Sequence, residues 1–378
     1  RPAVEREQQS LSGHSDPWIE VPLDHIVWNF EQVKKRVKVP IMAVVKANAY
    51  GHGLIEVSKT LQKAGADWLM VGKLQEAFTL REAGVACPIL NFGPFDGRDG
   101  AEIISQNISQ AVYTEDAALL DEAAARLKRK AAVHVDIDTG MGRTGVPTEN
   151  ALRLIDKIAS FRNVTIEGVC TTLTEDSEFD REQLRRFLDL CSAAQNRGIS
   201  LGLRHAASSS GVFYSSEFYL DMVRPGITLY GYYPSPQTRE GDSLGLKPAL
   251  RLAARIVFIK DLLAGETLSY HRVFKAQKDM RVATAGIGYS DGYPPQLGGK
   301  GWVAVRNKRF PVLNAVTANH AMIDLGDDRE VKIGDEVRLI DYFAGSGLTA
   351  DSLAEQGGIS DYKILLGLSP LLPRVYSR

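Results

Sequence analysis

A chain of 378 residues exceeds what one hydrophobic core ordinarily fills, so two domains are expected. Apolar residues make up 44% and charged residues 24%, and the formal net charge of -1 comes without a basic stripe, which argues against a nucleic-acid or polyanion binder. Cys87, Cys170 and Cys191 show no metal-ligand spacing and fit reduced thiols in a cytoplasmic protein, and no run of about 20 apolar residues offers a membrane span.

Arg1 to Asp16 is polar and lacks an apolar core, so it does not read as an intact signal peptide, and residues 1–17 are set apart as an N-terminal extension. From about residue 40 to 230, short β-rich runs alternate with helical patterns. The expected strands are Ile41–Lys46, Trp68–Val71, Pro88–Phe92, Gln110–Tyr113, Ala132–Ile137, Thr165–Cys170, Leu201–His205 and Asp221–Tyr230. Between them, Thr148–Ser160 places Ala151, Leu154, Ile155 and Ile158 on one helical face, and Glu115–Lys130 and Phe179–Arg197 read the same way. The run Lys128-Arg129-Lys130 reads as a solvated helix end that complements the helix dipole. Eight strands separated by helices within residues 18–245 fit a (β/α)8 TIM-type barrel. A doubly wound sheet is the alternative, and its dinucleotide-binding version is weakened because no GxGxxG follows the first strand. Beyond residue 245 the pattern changes to Leu250–Ile259, Arg281–Ile287, Trp302–Arg306, Phe310–Val316, Ala321–Leu325 and Glu336–Ile340, separated by Gly, Asp and Asn turns. Residues 246–378 therefore read as a second, mainly β domain, with helix expected at Ala350–Gln356.

Barrel enzymes carry their chemistry at the C-terminal ends of the strands. Lys46 closes the first apolar strand, where it is either a lysine snorkelling at a strand edge or a desolvated Schiff-base lysine. The fifth strand runs into a glycine-rich loop with Arg143, a fork suited to a carboxylate or phenolate, or else a solvated arginine. His205 ends the seventh strand and leads into Ser208-Ser209-Ser210, while the eighth carries Arg224-Pro225-Gly226-Ile227. Small hydroxyl residues and a glycine after these two strands are where barrels commonly bind phosphate. A lysine, an anion fork, a phosphate cradle and an arginine at one mouth suggest pyridoxal 5'-phosphate.

Four segments then carry a resemblance: Ala43–Gly53 (AVVKANAYGHG), Asp138–Val146 (DTGMGRTGV), Asp221–Gly231 (DMVRPGITLYG) and Gly286–Tyr293 (GIGYSDGY). In this order the chain resembles the alanine racemases, from about residue 18 to Tyr376. The resemblance implies a pyridoxal-phosphate enzyme that racemises alanine, with wider amino-acid specificity left open, working as a head-to-tail homodimer with a shared active site and with no nucleic-acid or membrane partner. It makes Lys46 and Tyr289, the latter from the partner subunit's β domain, the two catalytic bases. Tyr50, Ser209, Gly226 and Ile227 would hold the phosphate; Arg224, supported by His205, would face the pyridine nitrogen. Arg143 and the Ala318 segment would contact the substrate.

The sequence departs from the family pattern at three places. Asp136 stands where a lysine, carbamylated in some members, often precedes the signature arginine, and it reads as a shorter anionic partner for Arg143, the alternative being a solvated or core-satisfied aspartate. Thr171-Thr172 replaces Thr-His, leaving His134 or His320 to compensate for the lost imidazole or to be ordinary structural histidines. Ala318-Asn319-His320 replaces Met-Asp-Gln, and the loss of volume at Ala318 would admit side chains larger than methyl. The alternatives are a decarboxylase or lyase on the same scaffold, or a protein that binds the cofactor without catalysis; a preserved second base favours racemisation.

Overall fold

The computed structural model describes residues 17–241 and 244–378; the expected extension over residues 1–16 lies outside the described residues. The chain divides into two compact units, one holding Ile26–Ala49 and Leu54–Leu246, the other residues 17–25, Tyr50–Gly53 and Lys247–Arg378.

The first unit is a parallel barrel. Strands Met42–Val44, Trp68–Val71, Ile89–Asn91, Ile108–Val112, Ala131–Asp138, Val164–Cys170 and Leu203–His205 pair in that order, each parallel to the next. Most of their residues are buried, as strands covered on both faces must be. The expected eighth strand, Asp221–Tyr230, is not a strand: it makes one parallel bridge, Val223 to Ile41, and then becomes a 3-10 turn over Ile227–Tyr230. Pro225 has no N–H to continue a ladder, and the Gly226 N–H is claimed by a side chain. The segment still closes the ring, because Met42 N donates to Val223 O at 2.9 Å, Val44 N to Pro225 O at 3.0 Å, and Asp221 N to Arg204 O at 3.1 Å.

The covering helices follow from their apolar stripes. In Thr148–Ala159 the buried residues are the expected Ala151, Leu154, Ile155 and Ile158. Helix Ser177–Asn196 starts where the Asp176 carboxylate accepts the N–H groups of Glu178 and Phe179. Helix Ala117–Leu127 ends at Lys128, which takes the left-handed conformation, and Lys128, Arg129 and Lys130 are all exposed.

The second unit is an antiparallel sheet. Strands Met280–Ala285, Ala321–Gly326, Lys308–Val316, Trp302–Val305, Glu336–Ile340 and Arg251–Leu262 pair in that order, and the last returns to the first, so the six close on themselves. Trp18–Pro22, expected at the start of the barrel, instead pairs antiparallel with Arg251–Leu262 and parallel with Arg374–Ser377 in this sheet. Its backbone groups find their partners here, a choice set by residues more than 200 positions away.

Candidate active site

Lys46 follows the first barrel strand after one intervening residue, where the chain leaves the sheet. The four residues after it form one turn of left-handed helix, with φ of 53° at Ala47, 56° at Asn48, 52° at Ala49 and 53° at Tyr50. Each such residue costs on the order of 1–2 kcal/mol, so the surroundings must hold the turn. They do so in part through Glu76, whose carboxylate accepts Asn48 N and Gly72 N, both at 3.1 Å. The Asn48 side chain in turn accepts Leu54 N at 2.8 Å. The lysine stem lies along Gly72, where an added Cβ would sit 3.4 Å from Lys46 Cβ. Burial holds the Lys46 amine below the usual lysine range, with the positive charges of Arg143 and Arg224 acting the same way and Glu76 opposing. A lysine lowered in this way gives up its proton more readily than a surface lysine, the direction that a nucleophilic amine needs.

Arg224 is buried and spends its donors in a definite way. Nη1 donates to His205 Nδ1 at 2.6 Å and to His205 O at 2.7 Å; Nη2 donates to Thr171 O at 2.8 Å and Ala206 O at 3.3 Å. Of its five N–H groups, only Nε–H is left without an acceptor among the described residues. Burial pulls the Arg224 pKa down, but a guanidinium starts so strongly basic that it stays charged. The expected support of Arg224 by His205 is therefore a direct contact.

Ser209 opens the short helix Ser209–Tyr214, and its Oγ accepts Gly226 N at 2.9 Å and Thr228 N at 3.4 Å. With two N–H groups donating to it, the hydroxyl keeps its own proton to give. The buried hydroxyls of Ser210 and Thr228, in the same two segments, have no hydrogen-bond partner among the described residues. A buried polar group without a partner is costly, and an oxyanion placed among these donors would meet that need.

The loop after the fifth strand is folded by Asp138, whose Oδ1 accepts Gly140 N and Gly142 N, both at 3.0 Å. Arg143 stands exposed on it. Asp136 does not pair with Arg143 as expected: it is buried, accepting Thr144 Oγ1 at 3.3 Å and lying 3.7 Å from Cys170 Sγ. Desolvation pushes its carboxyl up to about 6, with the fields of Arg224 and Arg143 and the Thr144 bond opposing. Its short arm reaches the loop one residue beyond the arginine. Thr172 is half-buried, and its carbonyl accepts Gln183 Nε2 at 3.1 Å. His134 neighbours His205, a contact that the sequence offered no means of seeing.

In the second unit, Tyr289 and Ala318 belong to one hydrogen-bonded assembly. Tyr289 N donates to Thr317 O and Ser290 N to Ala318 O, both at 3.0 Å, while Ser290 Oγ donates to Ala318 O at 2.7 Å. Asn319 Nδ2 reaches Ser290 Oγ at 2.9 Å. Gly288 permits this approach, since a Cβ there would lie 2.1 Å from Thr317 O. The Tyr289 ring is left exposed on this unit, and His320, in the segment that begins at Ala318, is exposed as well. Tyr50, also of this unit, is buried with its ring 6.0 Å from that of Tyr362.

Comparison with known proteins gives the family and the fold. Residues 21–234 match the family "Alanine racemase, N-terminal domain" and residues 249–376 match "Alanine racemase, C-terminal domain". The chain is 37% identical over 369 residues to an alanine racemase of Clostridium tetani, covering 96% of this chain and 95% of the relative. It is 38% identical over 368 residues to one of Clostridium perfringens, covering 96% and 95%. The crystal structure of alanine racemase from D-cycloserine producing Streptomyces lavendulae superposes with a TM-score of 0.92 at 30% identity, covering 97% of this chain and 98% of that one.

Proposed function

The chain belongs to the alanine racemase family, and from that premise we propose that it interconverts L- and D-alanine with pyridoxal 5'-phosphate by a two-base mechanism. The observation that carries this reading is Lys46: a lysine at the mouth of the barrel whose amine is lowered in basicity by burial and by two guanidiniums.

The residues suit the cofactor. Arg224 keeps one donor, Nε–H, for a ring nitrogen; Ser209 and the partnerless hydroxyls of Ser210 and Thr228 suit a phosphate. Tyr50, Gly226 and Ile227 complete the set that we propose holds it. Bound there, pyridoxal phosphate supplies an electron-withdrawing π-system that acidifies the Cα–H of an attached amino acid.

Lys46 would hold the cofactor through Nζ, and its amine, lowered in basicity by burial, would carry a proton on one face of the substrate. Inversion needs a second proton carrier on the opposite face, and we assign it to Tyr289 Oη of a partner subunit, exposed on its own β unit and rigidly backed by the 317–318 carbonyls. Arg224, a fixed cation, would disfavour protonation of a ring nitrogen held at its Nε–H and so would restrain the electron sink. Arg143, exposed at the loop, is the candidate fork for the substrate carboxylate. In this reading the protein is a homodimer, and its three free thiols suit the cytoplasm. Among the described residues no helix is long and apolar enough to cross a membrane.

A second reading concerns specificity. Ala318 binds the tyrosine turn through its carbonyl, so its side chain is free to set the width of the substrate pocket, and a methyl leaves room for substrates beyond alanine. Chiral chromatography of each L-amino acid incubated with protein and pyridoxal phosphate tests both readings: D-alanine must form, and D-serine forms if the pocket is wide. No D-product from any substrate overturns the assignment.

A further inference from the structure

Behind Arg224 the barrel interior holds a chain of polar side chains that the proposed reaction does not use. His205 Nε2 lies 2.8 Å from His134 Nδ1, and both rings are fully buried. His134 Nε2 faces Glu167 Oε2 at 3.6 Å, and the same carboxylate oxygen accepts the Ser109 hydroxyl. Glu167 is half-buried, and with Ser109 it lines a pocket of about 280 Å³ walled by Pro88, Ile108 and Ala131, residues at the openings of the barrel strands. The chain thus runs from Arg224 at the C-terminal mouth to a carboxylate that reaches water near the N-terminal end.

With both imidazoles neutral, the contacts fix every proton in it. A guanidinium can only donate, so His205 Nδ1 is an acceptor and the His205 proton sits on Nε2. That proton can go only to His134 Nδ1, which places the His134 proton on Nε2, pointing at Glu167. Both imidazole dipoles then align, lone pairs toward the cation and N–H groups toward the anion. At 3.6 Å the last link is a charge–dipole contact rather than a strong hydrogen bond, but a buried site preserves its field.

We propose that His134 and Glu167 are positioning residues for Arg224: they lock His205 in the Nε2–H tautomer and so hold the guanidinium in place through a one-directional relay. Two further observations agree. Gly168 pairs across the sheet with His134, and a Cβ there would lie 2.4 Å from His134 Nδ1, so the neighbouring strand leaves the space the ring occupies. Burial and the Arg224 charge keep His205 neutral, and burial keeps His134 neutral; contacts with His134 and Ser109 outweigh desolvation to hold Glu167 below the usual glutamate range. The inference rests on the racemase reading only in giving Arg224 a cofactor to face.

The test is nitrogen-15 NMR of the histidine side chains in the protein with pyridoxal phosphate bound, repeated without it. His134 and His205 should both report neutral Nε2–H tautomers near neutral pH; an Nδ1–H or a charged ring at either position overturns the relay. In Glu167→Gln the His205 Nε2–H resonance should move together with that of His134, and kcat should fall roughly tenfold while KM changes by less than about twofold. An unmoved His205 signal overturns the coupling, and an unchanged kcat overturns the positioning role. His134→Gln, which can accept and donate at the two ends, should restore activity lost in His134→Leu; if the leucine variant does not fold, Glu167→Gln decides alone. A protein with both tautomers as stated but no racemase activity would sink the racemase reading and leave the relay standing.

Discussion

The buried Asp136 carboxylate takes a hydrogen bond from Thr144 at 3.3 Å and makes no ion pair with the adjacent Arg143. The fields of Arg224 and Arg143 act on it, and it bears a desolvation cost that a paired carboxylate would offset.

That cost sets a pH dependence. The Asp136 carboxyl titrates at about 6 in the folded protein against an ordinary 3.8, so the folded state holds this proton more tightly than the unfolded chain. Its contribution to stability is complete below the ordinary value and is lost as pH rises through about 6, a loss of roughly 3 kcal/mol. Asp136→Asn keeps an acceptor for Thr144 and removes the titration. By urea unfolding it should match the parent near pH ~4 and exceed it by roughly 2 kcal/mol above pH ~7. A parent more stable than the variant at high pH would show that the carboxylate is paired.

Lys46→Ala and Tyr289→Phe should each lower racemisation by roughly 10²–10⁴-fold. Lys46→Ala should also abolish covalent retention of the cofactor after borohydride reduction, read by peptide mass. Tyr289→Phe should leave that retention intact, because only its phenol is removed. Equal loss of retention in both would contradict the separate roles.

Gly288→Ala should detach the tyrosine turn. Its Cβ would meet Thr317 O at 2.1 Å and Ala318 O at 2.3 Å, both backbone atoms that cannot swing aside. A melting scan should show destabilisation of about 1–3 kcal/mol, and turnover should fall at least about tenfold in the surviving folded enzyme. Full activity in this variant would mean that the turn does not need its present geometry.

Ala318→Met should narrow the substrate pocket. The ratio of kcat/KM for serine over alanine should drop by about tenfold or more, the scale on which a few methylenes discriminate. An unchanged ratio would place the specificity elsewhere.

Much of this was legible in the sequence where local pattern suffices. Glu336–Ile340 and Trp68–Val71 form the expected strands to the residue, and the stripe of Ala151, Leu154, Ile155 and Ile158 is the buried helix face. Pattern failed where partners are remote or where backbone chemistry outweighs composition. Trp18–Pro22 could not announce that its neighbours are Arg251–Leu262 and Arg374–Ser377. Asp221–Tyr230 has the apolar content of a strand, but Pro225 and the capture of Gly226 N–H by Ser209 end it. At the site, Lys46 and Ser209 stood out because they lie at or just past the end of a barrel strand, and Arg224 because it sits on the expected eighth. His134 had only an alternation signal, two residues before Asp136 on the same strand face, and nothing local linked it to His205 or Glu167.

The most direct test of the two-base reading is exchange in D₂O. Protein and pyridoxal phosphate are incubated with L-alanine, and both enantiomers are separated and weighed for deuterium at Cα. The account predicts D-alanine that carries deuterium from its first appearance, because the proton removed by one base is replaced by the other. Deuterium gained by L-alanine without inversion, or no exchange at all, would contradict it.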